Sequence, residues 1–192
     1  MKTLAIDACV RAEDSRTKKL LDEALRFEDH VTVRHLSEMG LLPFDRKSLA
    51  ERDALLAEGK RDAERFDLAH EFADADRIIV AAPFWDLSFP SIVKVYIEHI
   101  SVEGITFGVV RNGTLKGLAR AKDLVYLTTR GGNYADSPLE LGVHTMRAMA
   151  EFYGIERFHA VTVDGLDLGS DVEEKLAAAK KEIRDLWQTL EA

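Results

Sequence analysis

Along the chain, short near-continuous apolar runs alternate with longer stretches whose apolar residues recur every three or four positions. The runs read as strands and the stretches as helices. Residues 4–6 form the first run. From Thr17 to Phe27 the apolar residues Leu20, Leu21, Ala24 and Leu25 keep helical spacing. Residues 31–36 alternate and are rich in β-branched side chains, which predicts a strand. Residues 49–75 are charged, with apolar positions at helical intervals, and predict one or two exposed helices. Residues 77–82 are almost wholly apolar and end at Pro83, the habit of a strand buried on both faces. A helix follows from Ser91 to Ile100, with Ile92, Val93, Tyr96, Ile97 and Ile100 on one face. Residues 124–129 predict another buried strand and residues 158–163 the last. Ser137-Pro138-Leu139-Glu140 reads as a capping box opening a helix that stops at Gly154. Ser170-Asp171-Val172-Glu173 reads as a second box, opening a helix to about Leu190.

This alternation predicts an α/β fold, a parallel sheet with helices on both faces. Five strands suggest the doubly wound order 2-1-3-4-5, the flavodoxin-like arrangement, as one domain over residues 1–192. Such sheets bind ligands beyond the carboxyl ends of their strands, beside strand one. The loops after Asp7, Ala82 and Thr129 are therefore the ones to inspect.

Composition narrows the class. Of 192 residues, 46% are hydrophobic and 31% charged, as in an ordinary soluble protein. Acids outnumber bases 34 to 26, a net charge of -8 that disfavours nucleic-acid backbones as partners. The single cysteine, Cys9, allows no intramolecular disulfide and fits a reducing cytoplasm. The opening residues reach a charge at Asp7 before a signal-peptide core could form, and no apolar run approaches the ~18 residues of a membrane span.

The first loop carries Arg11, then Ser15, Arg16, Thr17, Lys18 and Lys19 at a helix start. Cations are unfavourable at that end of a helix dipole unless an anion sits among them. Free N–H groups, hydroxyls and positive charge together suit a phosphate. The plainer alternative is a solvated basic face with Ser15 as a simple cap. The second loop, Pro83-Phe84-Trp85-Asp86-Leu87-Ser88-Phe89-Pro90, holds three aromatics between a strand and a helix. A flat aromatic ligand, a partner subunit or the core itself would cover them. The third, Thr129-Arg130-Gly131-Gly132-Asn133-Tyr134, pairs glycines that permit close backbone approach with an arginine donor. Alone it would pass for a plain turn; its place at the same sheet edge gives it weight.

These loops resemble those of the FMN-dependent NADH-azoreductases, which are also quinone oxidoreductases of flavodoxin-like fold. The likeness runs over nearly the whole chain and is clearest between Ile79 and Gly132. Pro83-Phe84-Trp85-Asp86-Leu87 matches the family's proline, bulky apolar residue, aromatic, asparagine and apolar residue. Thr129-Arg130-Gly131-Gly132 matches its hydroxyl, arginine and two glycines, and Gly104-Ile105-Thr106-Phe107 with Asn112-Gly113 is also similar. The first loop matches least: the family's three serines correspond here to Cys9, Ser15 and Thr17.

The resemblance implies an FMN phosphate held by Ser15, Arg16 and Thr17, with Cys9 and Arg11 beside it. It implies an isoalloxazine lined by Pro83, Phe84, Trp85, Asp86 and Leu87, its polar edge hydrogen-bonded by Thr129, Arg130, Gly131 and Gly132. It further implies a homodimer with sites at the interface, NADH or NADPH as co-substrate, a quinone or azo acceptor, and Phe107 and Tyr134 on the substrate side. No protein acid or base is assigned, since hydride transfer itself needs none. Three positions depart from the pattern. Cys9 offers a weaker hydrogen-bond donor than a hydroxyl. Asp86 lacks the amide N–H, and its charge opposes an anionic reduced flavin. Tyr134 stands where many members have histidine.

Two other classes share this fold: a flavodoxin-type electron carrier, and a flavin-free binding or signalling domain. Against a phosphoryl receiver, only Asp7 and Asp14 lie near strand one, and Val163-Asp164-Gly165 supplies no lysine. No G-x-G-x-x-G follows strand one, no phosphate-loop G-x-x-x-x-G-K-[ST] occurs, and the scattered histidines make no metal motif.

Overall fold

Each expected apolar run forms a strand of one parallel sheet. The computed structural model describes residues 1–110, 113–169 and 171–190. Among these, the strands are β1 (Thr3–Asp7), β2 (Val31–His35), β3 (Arg77–Ala81), β4 (Phe107–Val109), β5 (Leu115–Gly117), β6 (Asp123–Thr129) and β7 (Arg157–Val163). The helices are α1 (Arg16–Leu25), α2 (Arg46–Ala57), α3 (Asp67–Asp74), α4 (Ser91–Ile100), α5 (Leu141–Tyr153) and α6 (Val172–Leu190). The main sheet has the order β2-β1-β3-β6-β7, which is the expected 2-1-3-4-5 with the hairpin β4-β5 set aside. Thr3 lies opposite both Val31 and Arg77, Arg77 opposite Asp123, and Asp123 opposite Arg157. The strands therefore start level, and their carboxyl ends emerge along one edge.

Alternate strand residues feed two different apolar layers, as the two-residue period requires. Leu4, Ile6, Ile78, Val80, Leu124 and Tyr126 pack against α4 (Val93, Tyr96, Ile97) and α5 (Met146, Ala150). Ala5, Ile79, Ala81, Val125 and Leu127 pack against α1 (Leu20, Leu21, Ala24) and α6 (Leu176, Ile183, Trp187). This explains why β3 and β6 read as continuous apolar runs: neither face meets water.

At the amino-terminal edge lies a buried ionic group. The Arg77 guanidinium donates to Glu28 Oε1 at 2.5 Å, and both side chains are only 2% exposed. Glu28 also accepts from Trp187 Nε1 at 2.9 Å and from the Thr3 hydroxyl at 2.5 Å.

The charged stretch forms two helices, within the expected one or two: α2, which buries no residue, and α3, which unexpectedly buries Ala69, Phe72 and Ala73, joined through a 3-10 turn at Glu64–Phe66. Two further details differ from expectation. Ser137 does not cap α5. Its hydroxyl accepts from Leu139 N at 3.2 Å within a turn, while Glu140 caps the helix by accepting from Val143 N at 3.0 Å. Burial of the Glu140 carboxylate against Arg130 moves the helix start past the proline. The segment after α4 forms the hairpin β4-β5; Asn112 within it and Ser170 of the second box lie outside the described residues. Gly117 permits this hairpin to press on the end of α5, since a Cβ there would lie 2.0 Å from Gly154 N. Gly154 ends α5 in the left-handed region, φ 80°, as expected.

Candidate functional site

At the carboxyl edge, backbone hydrogen bonds bind the strand-ending loops into one surface. Phe84 N donates to Thr129 O at 3.1 Å, and Arg130 N to Val163 O at 2.8 Å. Gly165 N donates to Gly132 O, and Asp167 N to Gly131 O. A fourth loop, after β7, thus joins the three expected ones.

In the first loop, buried Asp7 fixes the chain by accepting from Cys9 N at 2.9 Å, and its other oxygen meets His35 Nδ1 at 2.9 Å. Cys9 sits in the α1-side core with its thiol toward Ala81 O. Burial, and then the Asp7 charge, push that thiol far above its usual range, so it is neutral. Ser15 caps α1 by accepting from Lys18 N. Thr17 is buried, and its hydroxyl shares a 2.7 Å hydrogen bond with that of Thr129, fastening the first loop to the third.

In the second loop, Trp85 and Ser88 exchange backbone hydrogen bonds of 3.2 and 2.8 Å around a tight turn. Asp86 and Leu87 at its tip have φ of 48° and 67°. A non-glycine residue held there stores backbone strain, and such strain collects at functional sites. The turn is held from behind by Leu141 N, which donates to Leu87 O at 3.0 Å. Phe84 packs 4.8 Å from the Tyr134 ring.

In the third loop, Arg130 is buried, with both terminal nitrogens paired to acids and its Nε without a hydrogen-bond partner among the described residues. It meets Asp164 at 2.9 Å and Glu140 at 3.2 Å, and its guanidinium lies 5.5 Å from the centre of the Phe84 ring. Asp164 in turn accepts from Tyr134 N and Ala135 N, each at 2.8 Å. Arg130 is thus a clamp under the aromatic pair.

These loops enclose a cleft of about 250 Å³. Arg11, Ser15 and Arg16 line it from the first loop, Pro83, Phe84 and Trp85 from the second, Thr129 and Gly131 from the third. Two acids not expected at the site, Asp14 (weighed only as a receiver acid) and Asp167, also line it. Cys9, Thr17, Asp86, Leu87, Arg130 and Gly132 stand behind or beside this lining. Phe107 packs in β4 on Phe152 of α5, at 4.7 Å, and does not line the cleft. The basic cluster at the start of α1 is paired: Arg16 with Asp167, Lys18 with Asp22, Lys19 with Glu173. Asp164 and Asp167 were findable, because the segment after the last strand reaches the same edge by the rule that singled out the other three.

A larger apolar groove, about 740 Å³, runs between α4 and α5, with Ile97, Met149 and Phe152 on its walls.

Comparison with known proteins agrees with this architecture. Residues 1–186 match a family model described as flavodoxin-like fold. An FMN-dependent NADH:quinone oxidoreductase of Clostridium perfringens is 36% identical over 183 residues, covering 91% of this chain and 92% of the relative. One from Lachnoclostridium phytofermentans is 32% identical over 191 residues, 94% of each. Among solved structures, an FMN-dependent NADH-azoreductase from Bacillus anthracis, in complex with FMN, superposes with a TM-score of 0.84 at 22% identity, over 98% of both chains. With its sheet order, its cleft and its near-full-length relatives in agreement, the chain belongs to the flavodoxin-like family that contains these FMN-dependent NADH:quinone oxidoreductases.

Proposed function

We propose that the chain is an FMN-dependent oxidoreductase, a single domain acting in the cytoplasm, that uses NADH or NADPH to reduce quinones or azo compounds. The observation that carries this reading is the cleft itself. It joins an α1 amino terminus with Ser15, Arg11 and Arg16 at one end to Phe84 and Trp85 at the other. That donor set suits a phosphate next to a flat ring system. FMN, when bound, would supply the redox chemistry, a ring able to take up hydride and pass electrons on. The chain's residues bind and orient. Ser15, Arg16 and the first N–H groups of α1 would hold the phosphate, with Arg11 nearby, while Thr17 and Cys9 set the loop. Phe84, Trp85 and the strained Asp86-Leu87 turn, continuing from Pro83, flank the ring. Thr129, Gly131 and Gly132 offer the third loop's edge to its polar rim, with Arg130 clamping them from below. Trp85, 37% exposed, would cover a stacked acceptor, with Tyr134 packed on Phe84 near by.

The same reading assigns a homodimer. The α4–α5 groove is apolar and open, and Leu139 and Leu141 at the start of α5 are exposed. Patches of this kind mark interfaces. Phe107, packed on the groove residue Phe152, would then serve the partner's site rather than its own. Light scattering should give twice the chain mass, and a monomer would contradict the assignment. The functional test is NADH or NADPH oxidation by the FMN-reconstituted protein with a quinone as acceptor. Rapid acceptor-dependent oxidation is expected. A flavin-loaded monomer that turns over nicotinamide slowly would instead indicate an electron carrier.

A further inference from the structure

The cleft's charges cancel where a phosphate site would keep an excess of positive charge. Arg11 and Arg16 line it together with Asp14 and Asp167. Asp167 is the more consequential acid, because of where its carboxylate is held. Its backbone N–H donates to Gly131 O at 3.0 Å. Its carboxylate lies against Gly131, so close that a Cβ at that glycine would be 2.1 Å from Oδ2. From there Oδ1 accepts from Arg16 Nη2 at 2.8 Å, while Arg16 Nη1 donates to Leu166 O at 2.8 Å. The Arg16 guanidinium is therefore already paired with an anion at the cleft wall, in an ion pair open to solvent.

We propose that Asp167 is a specificity residue for the flavin, one that weakens the grip on the phosphate and so narrows the preference for FMN over riboflavin. This rests on the reading that the cleft holds a flavin. A phosphate drawn to Arg16 comes within a few ångströms of the carboxylate, and like charges at that distance repel measurably even near a surface. Riboflavin carries the same ring without the phosphate and does not meet that charge. Asp167→Asn keeps an oxygen acceptor for Arg16 and removes only the charge.

The test titrates the full chain with FMN and, separately, with riboflavin, following quenching of flavin fluorescence. The parent, Asp167→Asn, Asp167→Ala and the remote acid variant Asp185→Asn on α6 are compared. Asp167→Asn and Asp167→Ala should bind FMN about tenfold more tightly, a single partly screened charge effect, with riboflavin affinity unchanged. Added salt should shrink the difference, and Asp185→Asn should match the parent. FMN affinity that stays the same or falls in Asp167→Asn, a shift shared equally by riboflavin, or the same gain in Asp185→Asn would each overturn the proposal while leaving the flavin site standing. A parent chain that binds neither flavin overturns the proposal and the flavin site together.

Discussion

Arg130→Met should lower the stability of the chain by about 3–5 kcal/mol, the usual result of removing one partner from a buried ionic group, and should abolish flavin binding by the molecules that remain folded. The side chain is 2% exposed and bridges Asp164, at the end of β7, and Glu140, the cap of α5. Methionine leaves both carboxylates without their cation. It also withdraws the charge beneath Phe84, whose ring stands 4.8 Å from Tyr134. Three loops then lose their common tie: the one bearing Phe84, the one bearing Gly131, and the one bearing Asp164. Arg130→Lys should recover part of the stability, because an ammonium restores the charge but cannot fork to two carboxylates in a plane. Denaturant unfolding and flavin titration of the three proteins check this. A methionine variant as stable as the parent, with parental flavin affinity, would show that the clamp is idle.

Glu28→Ala should cost a similar amount, about 3–5 kcal/mol, with the opposite consequence for the site. Its carboxylate accepts from Arg77, Trp187 and Thr3 at the amino-terminal edge of the sheet. Alanine strands the Arg77 guanidinium among apolar neighbours and removes the acceptor of a buried indole N–H. The cleft lies at the other ends of β1 and β3, so flavin affinity measured below the new unfolding midpoint should equal that of the parent. Read together, the two variants separate general destabilisation from damage to the site. If Glu28→Ala weakened flavin binding as much as Arg130→Met, the loss in the latter would be ascribed to stability alone.

The pattern of apolar positions was enough to place the strands, because burial on both faces writes itself into residues 77–82 and 124–129 as unbroken apolar runs. Topology rules then carried the reading to the three loops, and Phe84, Trp85, Thr129 and Gly131 do line one cleft. Partnerships between distant charges were not legible. Arg77 reads only as the first residue of an apolar run, and nothing local marks Glu28, in another connection, as its buried partner. Arg130 looked like a ligand donor because its neighbours are glycines, yet its two terminal nitrogens meet Glu140 and Asp164. Ser137 carried the stronger local capping signal, but Glu140 caps α5 because it is buried against that same arginine. The hairpin β4-β5 escaped notice because its three-residue strands are too short to show a period. Asp14 and Asp167 belong to segments read for helix starts and for a missing lysine; the folded chain puts both in the lining with Arg11 and Arg16, and pairs Asp167 with Arg16.

Reconstitution with FMN tests the central claim most directly. The purified chain, incubated with excess FMN and freed of unbound ligand, should retain a flavin absorption band shifted from that of free FMN, in a ratio of one flavin per chain. A protein that emerges without a flavin band, and leaves FMN fluorescence unquenched on titration, would contradict the account.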